Sequence, residues 1–143
     1  MWNTEYSAVT DLPVEAVWDA LRDVHTGRKA SAGGDVFIIH GSYAVGTALS
    51  VTPKGQDTFR SVITELVRNK VYADQTRFGD LLLTFRHRFE PVDGKLKVTH
   101  ELVIDGDSAD AVGPELGPSI SEDFPTAMQS LFDLAAGTAE ITT

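Results

Sequence analysis

Apolar residues recur along the chain with two different periods, and the change of period divides it into elements. Residues 3–10 alternate weakly, as a strand does. Residues 12–21 follow the helical period, and Asp11, Pro13 and Glu15 form a suitable helix entry. The apolar face of this helix comprises Val14, Val17, Trp18 and Leu21. A second short helix and a Gly-rich turn are expected within residues 24–34.

From Val36 onward the pattern is that of strands. Six strand-like runs cover residues 36–40, 46–52, 58–67, 70–76, 80–90 and 95–104. Turn residues separate them, among them Asn69-Lys70, Gly79-Asp80 and Asp93-Gly94. Because short loops join successive runs, the pattern predicts an antiparallel meander.

The last third of the chain is expected to contain a loop and then a long helix. The segment Gly106–Pro118 is so rich in Gly and Pro that it predicts an irregular loop. Ser119 and Glu122 have capping-box spacing, which would open the last helix there. Its apolar stripe comprises Ile120, Phe124, Ala127, Met128, Leu131, Leu134 and Ala135. Either this helix kinks at Pro125, which we prefer, or it begins near Asp123 with Pro125 in its first turn.

The hairpin around Asp93-Gly94 places two histidines on an apolar face. A two-residue type I′ turn there puts His87 opposite His100. The other inward pairs are Leu83 with Ile104, Phe85 with Leu102, and Phe89 with Val98, whereas Arg86–Glu101 and Glu90–Lys97 fall on the outer face. A register shifted by one residue would destroy this separation of apolar and charged pairs.

Four interpretations of the two histidines are open, in the order in which we favour them. The rings satisfy one another or a hydroxyl within the core. They line a ligand cavity and orient a polar group. They move a proton in a reaction. They bind a metal, for which the spacing supplies no third ligand. In any of these, burial and the like charge should keep at least one ring neutral at pH 7.

Composition limits the classes of protein that remain. A chain of 143 residues with 42% hydrophobic content predicts one domain, residues 1–143, able to enclose a core and a cavity. Its net charge of -9 argues against nucleic acid or an anionic membrane surface as partner. The chain has no cysteine and no run of transmembrane length. We expect a soluble cytoplasmic protein without metal or cofactor, and we favour a monomer.

Three loose motifs point to a family. The Val-Trp pair in LPVEAVWDAL, the segment GSYAVGT at 41–47, and a C-terminal helix after a Gly/Pro-rich segment resemble the START-like, Bet v 1-like (SRPBCC) superfamily, specifically its bacterial polyketide cyclase/dehydrase and lipid-transport branch. The resemblance implies an α+β helix-grip fold, in which a curved seven-stranded antiparallel sheet wraps around a long C-terminal helix. It also implies a cavity between them, with the loop at 106–118 as a mobile rim. This fold hosts carriers, aromatases, cyclases and co-chaperones.

We therefore expect a protein that binds a small hydrophobic or aromatic ligand, lipid-like or polyketide-like. The alternative is an aromatase/cyclase-type enzyme using His87 and His100. A co-chaperone or interaction module ranks third, because residues 22–34 lack the Trp-rich segment of that branch. The predicted ligand-binding residues are Tyr72, Leu83, Phe85, His87, Phe89, His100, Leu102, Phe124, Met128 and Leu131. Asp74 shares a face with Tyr72 but is expected in solvent, as are His25 and His40.

Overall fold

The computed structural model describes residues 1–29 and 35–141. The elements are β1 (Trp2–Thr10), α1 (Val14–His25), β2 (Val36–Ile39), β3 (Ala48–Thr52), β4 (Phe59–Val67), β5 (Val71–Phe78), β6 (Leu81–Val92), β7 (Lys95–Gly106), α2 (Ala109–Ser121) and α3 (Phe124–Ile141). All seven predicted strands and the first helix are present. Helix α1 continues to His25 and is followed by a turn at 26–27. The second short helix expected within 24–34 is not present at 24–29, and residues 30–34 lie outside the described part of the chain.

The strands form one antiparallel sheet in the order β1-β7-β6-β5-β4-β3-β2. Successive strands from β2 to β7 are neighbours, whereas β1 crosses to the far edge and pairs with β7. The curved sheet, the short helix after the first strand and the bent C-terminal helical segment confirm the predicted helix-grip architecture.

The predicted hairpin register is confirmed. Asp93 and Gly94 both have positive φ, 52° and 79°, as a type I′ turn requires. His87 pairs with His100 between β6 and β7. On the outer face the Arg86 guanidinium donates to the Glu101 carboxylate at 2.7 Å. The turn and the alternating pattern together set which side chains face inward.

The expectation of an irregular loop at 106–118 is wrong, because helix α2 occupies most of that segment. Its buried glycines, Gly113 and Gly117, lie one turn apart on the face that receives the Trp2 indole. A Cβ on Gly113 would approach the Trp2 side chain to 2.5 Å, and one on Gly117 would collide with the ring. The glycines therefore serve a close contact between helix and ring, and the prolines Pro114 and Pro118 lie on the exposed face.

The predicted start of the last helix is also wrong. Ser119 lies inside α2, so it opens no helix. The chain bends at Glu122 and Asp123, and α3 begins at Phe124. Pro125 stands in the first turn of α3, where its missing N–H would have had no partner in any case. The interpretation that we preferred, a kink within one continuous helix, does not hold.

The interior has two apolar clusters. The larger lies between the sheet, α1 and α3 and includes Trp18, Phe89, Met128 and Leu131. The smaller lies under α2 and consists of Leu81, Leu83, Leu102, Ile104 and Ala109, with Trp2, Phe85, Leu116, Ile120 and Phe124 packed against it. No helix in the described part of the chain is long and apolar enough to cross a membrane.

Candidate functional site

A cavity of about 390 Å³ lies between the sheet and α3, next to the C-terminal half of α1. Its lining is Leu21, Val24, His25, Asp35, Phe37, His87, His100, Asp123, Thr126, Ala127, Ser130, Leu131 and Leu134. Several α3 residues in this set, such as Thr126 and Ala127, are exposed, so the cavity opens to solvent along that helix. The cavity is thus an open pocket between the curved sheet and α3.

Three histidines from three elements meet at the inner wall of this cavity. His25 ends α1, and His87 and His100 face each other across the β6–β7 hairpin. The ring centroids of His87 and His100 are 4.3 Å apart, and those of His25 and His87 are 5.6 Å apart. The cluster therefore extends the predicted pair by one member.

The expectation that His25 is exposed is wrong, since only 5% of it is accessible. It follows Leu21 by four residues and so continues the buried stripe of α1 for one more turn. Extending the helical pattern of residues 12–21 by one turn would have placed His25 on the buried face of α1. His40 does lie on the surface, where its Nε2 is 2.6 Å from the Ser50 hydroxyl.

Each of the three rings has a buried nitrogen without a hydrogen-bond partner in the described structure. These atoms are Nδ1 of His25, Nδ1 of His87 and Nε2 of His100. A neutral imidazole carries one donor and one acceptor, and leaving either unmet in the interior costs about 1–3 kcal/mol. The cluster can therefore offer hydrogen bonds to a molecule that enters the cavity.

The histidines are held neutral by their surroundings. Burial lowers the pKa of His25 to about 3, with a further contribution from His100, and lowers the pKa of His100 to about 4. Burial and the two neighbouring histidines also lower the pKa of His87 well below its usual value. At pH 7 the inner wall of the cavity is thus polar but uncharged, in line with the expectation of at least one neutral ring.

Behind His25 lies a buried pair, Tyr72 and Asp74, of which the sequence placed Asp74 in solvent. The Tyr72 hydroxyl donates to the Asp74 carboxylate at 2.7 Å, and only 7% of Asp74 is accessible. Burial raises the pKa of Asp74 to about 6, although hydrogen bonds from Tyr72 and Ser61 oppose the rise. The expectation of a solvated Asp74 is wrong because Tyr72, two residues away on the same face, supplies the donor that burial of a carboxylate needs.

The remaining predicted ligand-binding residues fall into separate environments. Leu131 lines the cavity. Leu83, Phe85, Leu102 and Phe124 belong to the cluster under α2, and Phe89 and Met128 to the larger core. Tyr72 is fully buried and stacks on His25, with ring centroids 4.2 Å apart. The Phe124 ring approaches His100 edge-on at 5.9 Å.

The sequence reasoning missed most of the polar lining. Asp35 precedes β2, and Asp123 stands at the bend before α3. Thr126 and Ser130 lie on the α3 face that borders the opening. No periodic pattern marks them, because they lie at element ends or on a half-exposed helix face. No group of three or more potential metal ligands occurs among the residues at 1–29 and 35–141.

No family model and no curated protein sequence matches the chain significantly. Solved structures do match along nearly the whole length. Ara h 8.0201 aligns with a TM-score of 0.72 at 14% identity, covering 95% of this chain and 98% of its own. Protein NE0264 from Nitrosomonas europaea aligns at 0.70 and 12%, covering 96% of each chain. The Aha1 dimer from Colwellia psychrerythraea aligns at 0.62 and 15%, covering 92% and 93%. At such identities the similarity concerns the fold alone.

Proposed function

We propose that this chain, whose fold is that of the Bet v 1-like proteins, binds a small, largely apolar molecule in the cavity between sheet and α3. One observation carries the proposal: three buried ring nitrogens without partners belong to side chains that line a cavity of about 390 Å³. A few polar groups in an otherwise apolar pocket are what small-molecule sites use to fix orientation.

The volume limits the size of the ligand. Small-molecule sites span about 300–1,000 Å³, and this cavity is near the lower end. A single chain of about ten carbons or a two-ring aromatic compound is therefore a better fit than a two-chain lipid. The ligand should carry a hydroxyl, carbonyl or amide on its buried part to pair with an imidazole.

Binding is favoured over catalysis by the protonation state of the histidines. A general base is most effective when its pKa lies near the working pH. His25 and His100, with pKa values of about 3 and 4, accept protons poorly at pH 7. Asp74 titrates closer to neutrality, at about 6, but it is bonded to Tyr72 and is not part of the lining. An aromatase/cyclase activity therefore remains only the alternative that the family resemblance suggested.

An interaction module has less support. The similarity to Aha1 concerns the fold, which is compatible with binding either a ligand or another protein. Buried, unpartnered histidine nitrogens would serve no purpose in an interface on the protein surface. We therefore retain the small-molecule proposal alone.

The test uses 1-decanol, an uncharged chain of suitable volume, and the imidazole resonances of the protein as the readout. Decanol is expected to shift the ring signals of His87 and His100 and to leave those of exposed His40 unchanged. His87→Phe fills the same space without the hydrogen bond, and loss of about 1 kcal/mol should weaken decanol binding roughly fivefold. His40→Phe is the matched control. Absence of shifts at His87 and His100, or equal affinity of both variants, would overturn the proposal.

A further inference from the structure

We infer that the preferred ligand of this cavity is an amphiphilic amine, whose buried part carries the hydrogen-bonding group that pairs with the histidines and whose ammonium group lies beside Asp35 and Asp123. The inference rests on the proposed function and specifies the chemical class of its ligand. Fatty acids, which a lipid-binding cavity of this kind would otherwise be expected to accept, should bind poorly because of their carboxylate.

The charged groups of the lining are all of one sign. Asp35 and Asp123 line the cavity, and no Lys or Arg does so among the described residues. The five residues immediately before Asp35, at 30–34, read Ala-Ser-Ala-Gly-Gly and so bring no charge with them. A ligand entering this cavity therefore meets two carboxylates and no cation.

These carboxylates are close to one another and are not neutralised. Burial raises the pKa of Asp123, and the charges of Asp35 and Glu122 raise it further. Neither Asp35 nor Asp123 forms an ion pair with any residue that the structure describes. The hydrogen bond that Asp35 accepts comes from the backbone N–H of Lys54, at 3.2 Å, which carries no net charge. An ammonium group placed between them would reduce their mutual repulsion.

The inner wall adds an independent reason to expect a ligand at this place. His100 is only 5% accessible, lines the cavity and has an unpartnered Nε2. Burial lowers the pKa of the histidines, so they bring no fixed positive charge, and a ligand carboxylate placed among them could be matched only by the unfavourable protonation of a buried ring. Among the described residues the cavity thus has no cationic side chain at either end, and an anionic ligand would be unfavourable in both orientations.

The test compares three ligands of equal chain length: decylamine, 1-decanol and decanoate, each below its critical micelle concentration at pH 7 and low salt. Ring resonances of His87 and His100 report binding in this cavity, as distinct from a second pocket lined by Arg22 and Arg28, where an anion could bind. We expect decylamine to bind about tenfold more tightly than decanoate, with decanol between them. Salt at 0.5 M should reduce this ratio, because the opening is exposed to solvent.

Variants separate the local carboxylates from the overall negative charge of the chain. Asp123→Asn should reduce the ratio of decylamine to decanoate affinity severalfold, because it removes one of the two carboxylates of the lining. Asp133→Asn removes one charge from the exposed face of α3, outside the lining, and should leave the ratio as it was.

The outcomes distinguish the two proposals. If none of the three compounds shifts the His87 and His100 signals, the proposed function itself fails, and this inference with it. If decanol binds there but decanoate binds as tightly as decylamine, the inference fails and the proposed function stands. The inference also fails, and the proposed function stands, if Asp133→Asn lowers the ratio of decylamine to decanoate affinity as much as Asp123→Asn does.

Discussion

Tyr72 connects the histidines of the cavity to a buried carboxylate. Its ring stacks on His25 with centroids 4.2 Å apart, and its hydroxyl donates to Asp74. The Tyr43 ring also stacks on Tyr72, nearly parallel to it, with centroids 5.9 Å apart. Hydrogen bonds to charged groups are among the stronger ones in proteins, so this hydroxyl should be important for stability.

Replacing Tyr72 by Phe tests this role. At pH 7.5, where Asp74 is ionised, loss of the bond should lower the free energy of unfolding by about 1–3 kcal/mol. The hydroxyl also lowers the pKa of Asp74, so the variant should hold this carboxyl protonated to a higher pH. The loss should therefore be smaller at pH 5, where Asp74 is neutral in both proteins. Urea unfolding of both proteins at pH 7.5 and pH 5 measures the two losses.

Tyr6→Phe is the control for that measurement, because Tyr6 is 36% accessible and lies on the edge strand β1. Its effect should stay within about 0.5 kcal/mol. A Tyr72→Phe loss of equal size at both pH values would show that packing of the ring, and not the bond to Asp74, explains the effect.

Among the elements, α2 departs most from what its composition suggests. Helix α2 contains two prolines and two glycines, which disfavour a helix. It forms because other parts of the chain bind its N-terminus and cover its inner face. The Ser108 N–H and hydroxyl donate to the Asp80 carboxylate at 2.9 Å and 2.7 Å. The inner face closes over Trp2 through Gly113 and Gly117. Tertiary contacts therefore decide the structure of this segment.

Two Gly→Ala substitutions should have opposite signs for this reason. An alanine usually stabilises a helix by up to about 1 kcal/mol relative to glycine. Gly137→Ala in α3 should show that gain, because nothing lies within 4 Å of its added Cβ. Gly117→Ala should instead destabilise by about 1–3 kcal/mol, because the methyl group collides with the Trp2 ring. Thermal or urea unfolding of both variants provides the comparison.

The double variant Gly117→Ala with Trp2→Ala identifies the cause. If the collision with Trp2 is responsible, adding Gly117→Ala to the Trp2→Ala protein should cost far less than adding it to the parent. An equal cost in both backgrounds would contradict the explanation.

These elements also show how far the sequence determines the fold by itself. The β6–β7 hairpin was predictable to the residue because its turn and its alternation are local and agree. Helix α2 was not, since the reason for its glycines is Trp2, at the other end of the chain. The candidate site divides in the same way. His87 and His100 follow from the hairpin, whereas Asp35 and Asp123 line one cavity only because α1 packs against both β2 and α3.

At the scale of the whole molecule, the neutral histidines make the fold sensitive to acid. The pKa of His25 is about 3 and that of His100 about 4 in the folded chain, against about 6.5 when unfolded. The unfolded chain therefore binds more protons between pH 6.5 and 4, so stability falls as the pH is lowered through that range. Asp74 acts in the opposite direction between about pH 6 and 3.8, because its folded pKa is raised.

We expect the free energy of unfolding to decrease on acidification from pH 6.5 to 4.5, since three buried histidines outweigh the two carboxyls with raised pKa, Asp74 and Asp123. Each histidine contributes up to about 1.4 kcal/mol per pH unit. The double variant His87→Phe, His100→Phe should flatten the dependence, and His40→Phe, on the surface, should leave it unchanged. A profile that is flat or rises toward acid in the parent protein would show that the histidines are not buried as described.

The far-edge position of β1 has a consequence for how the chain reaches this structure. Trp2 pairs with Ile104, so the first strand to be synthesised gains its neighbour only when the seventh has emerged. Until then the apolar faces of β1 and α1 lack their final cover, and the closing step joins segments far apart along the chain. Such long-range closure slows folding and leaves strand edges open to wrong pairing. A circular permutant that begins at α1 and carries β1 after α3 would bring β1 closer to β7 along the chain, and its folding rate should rise accordingly.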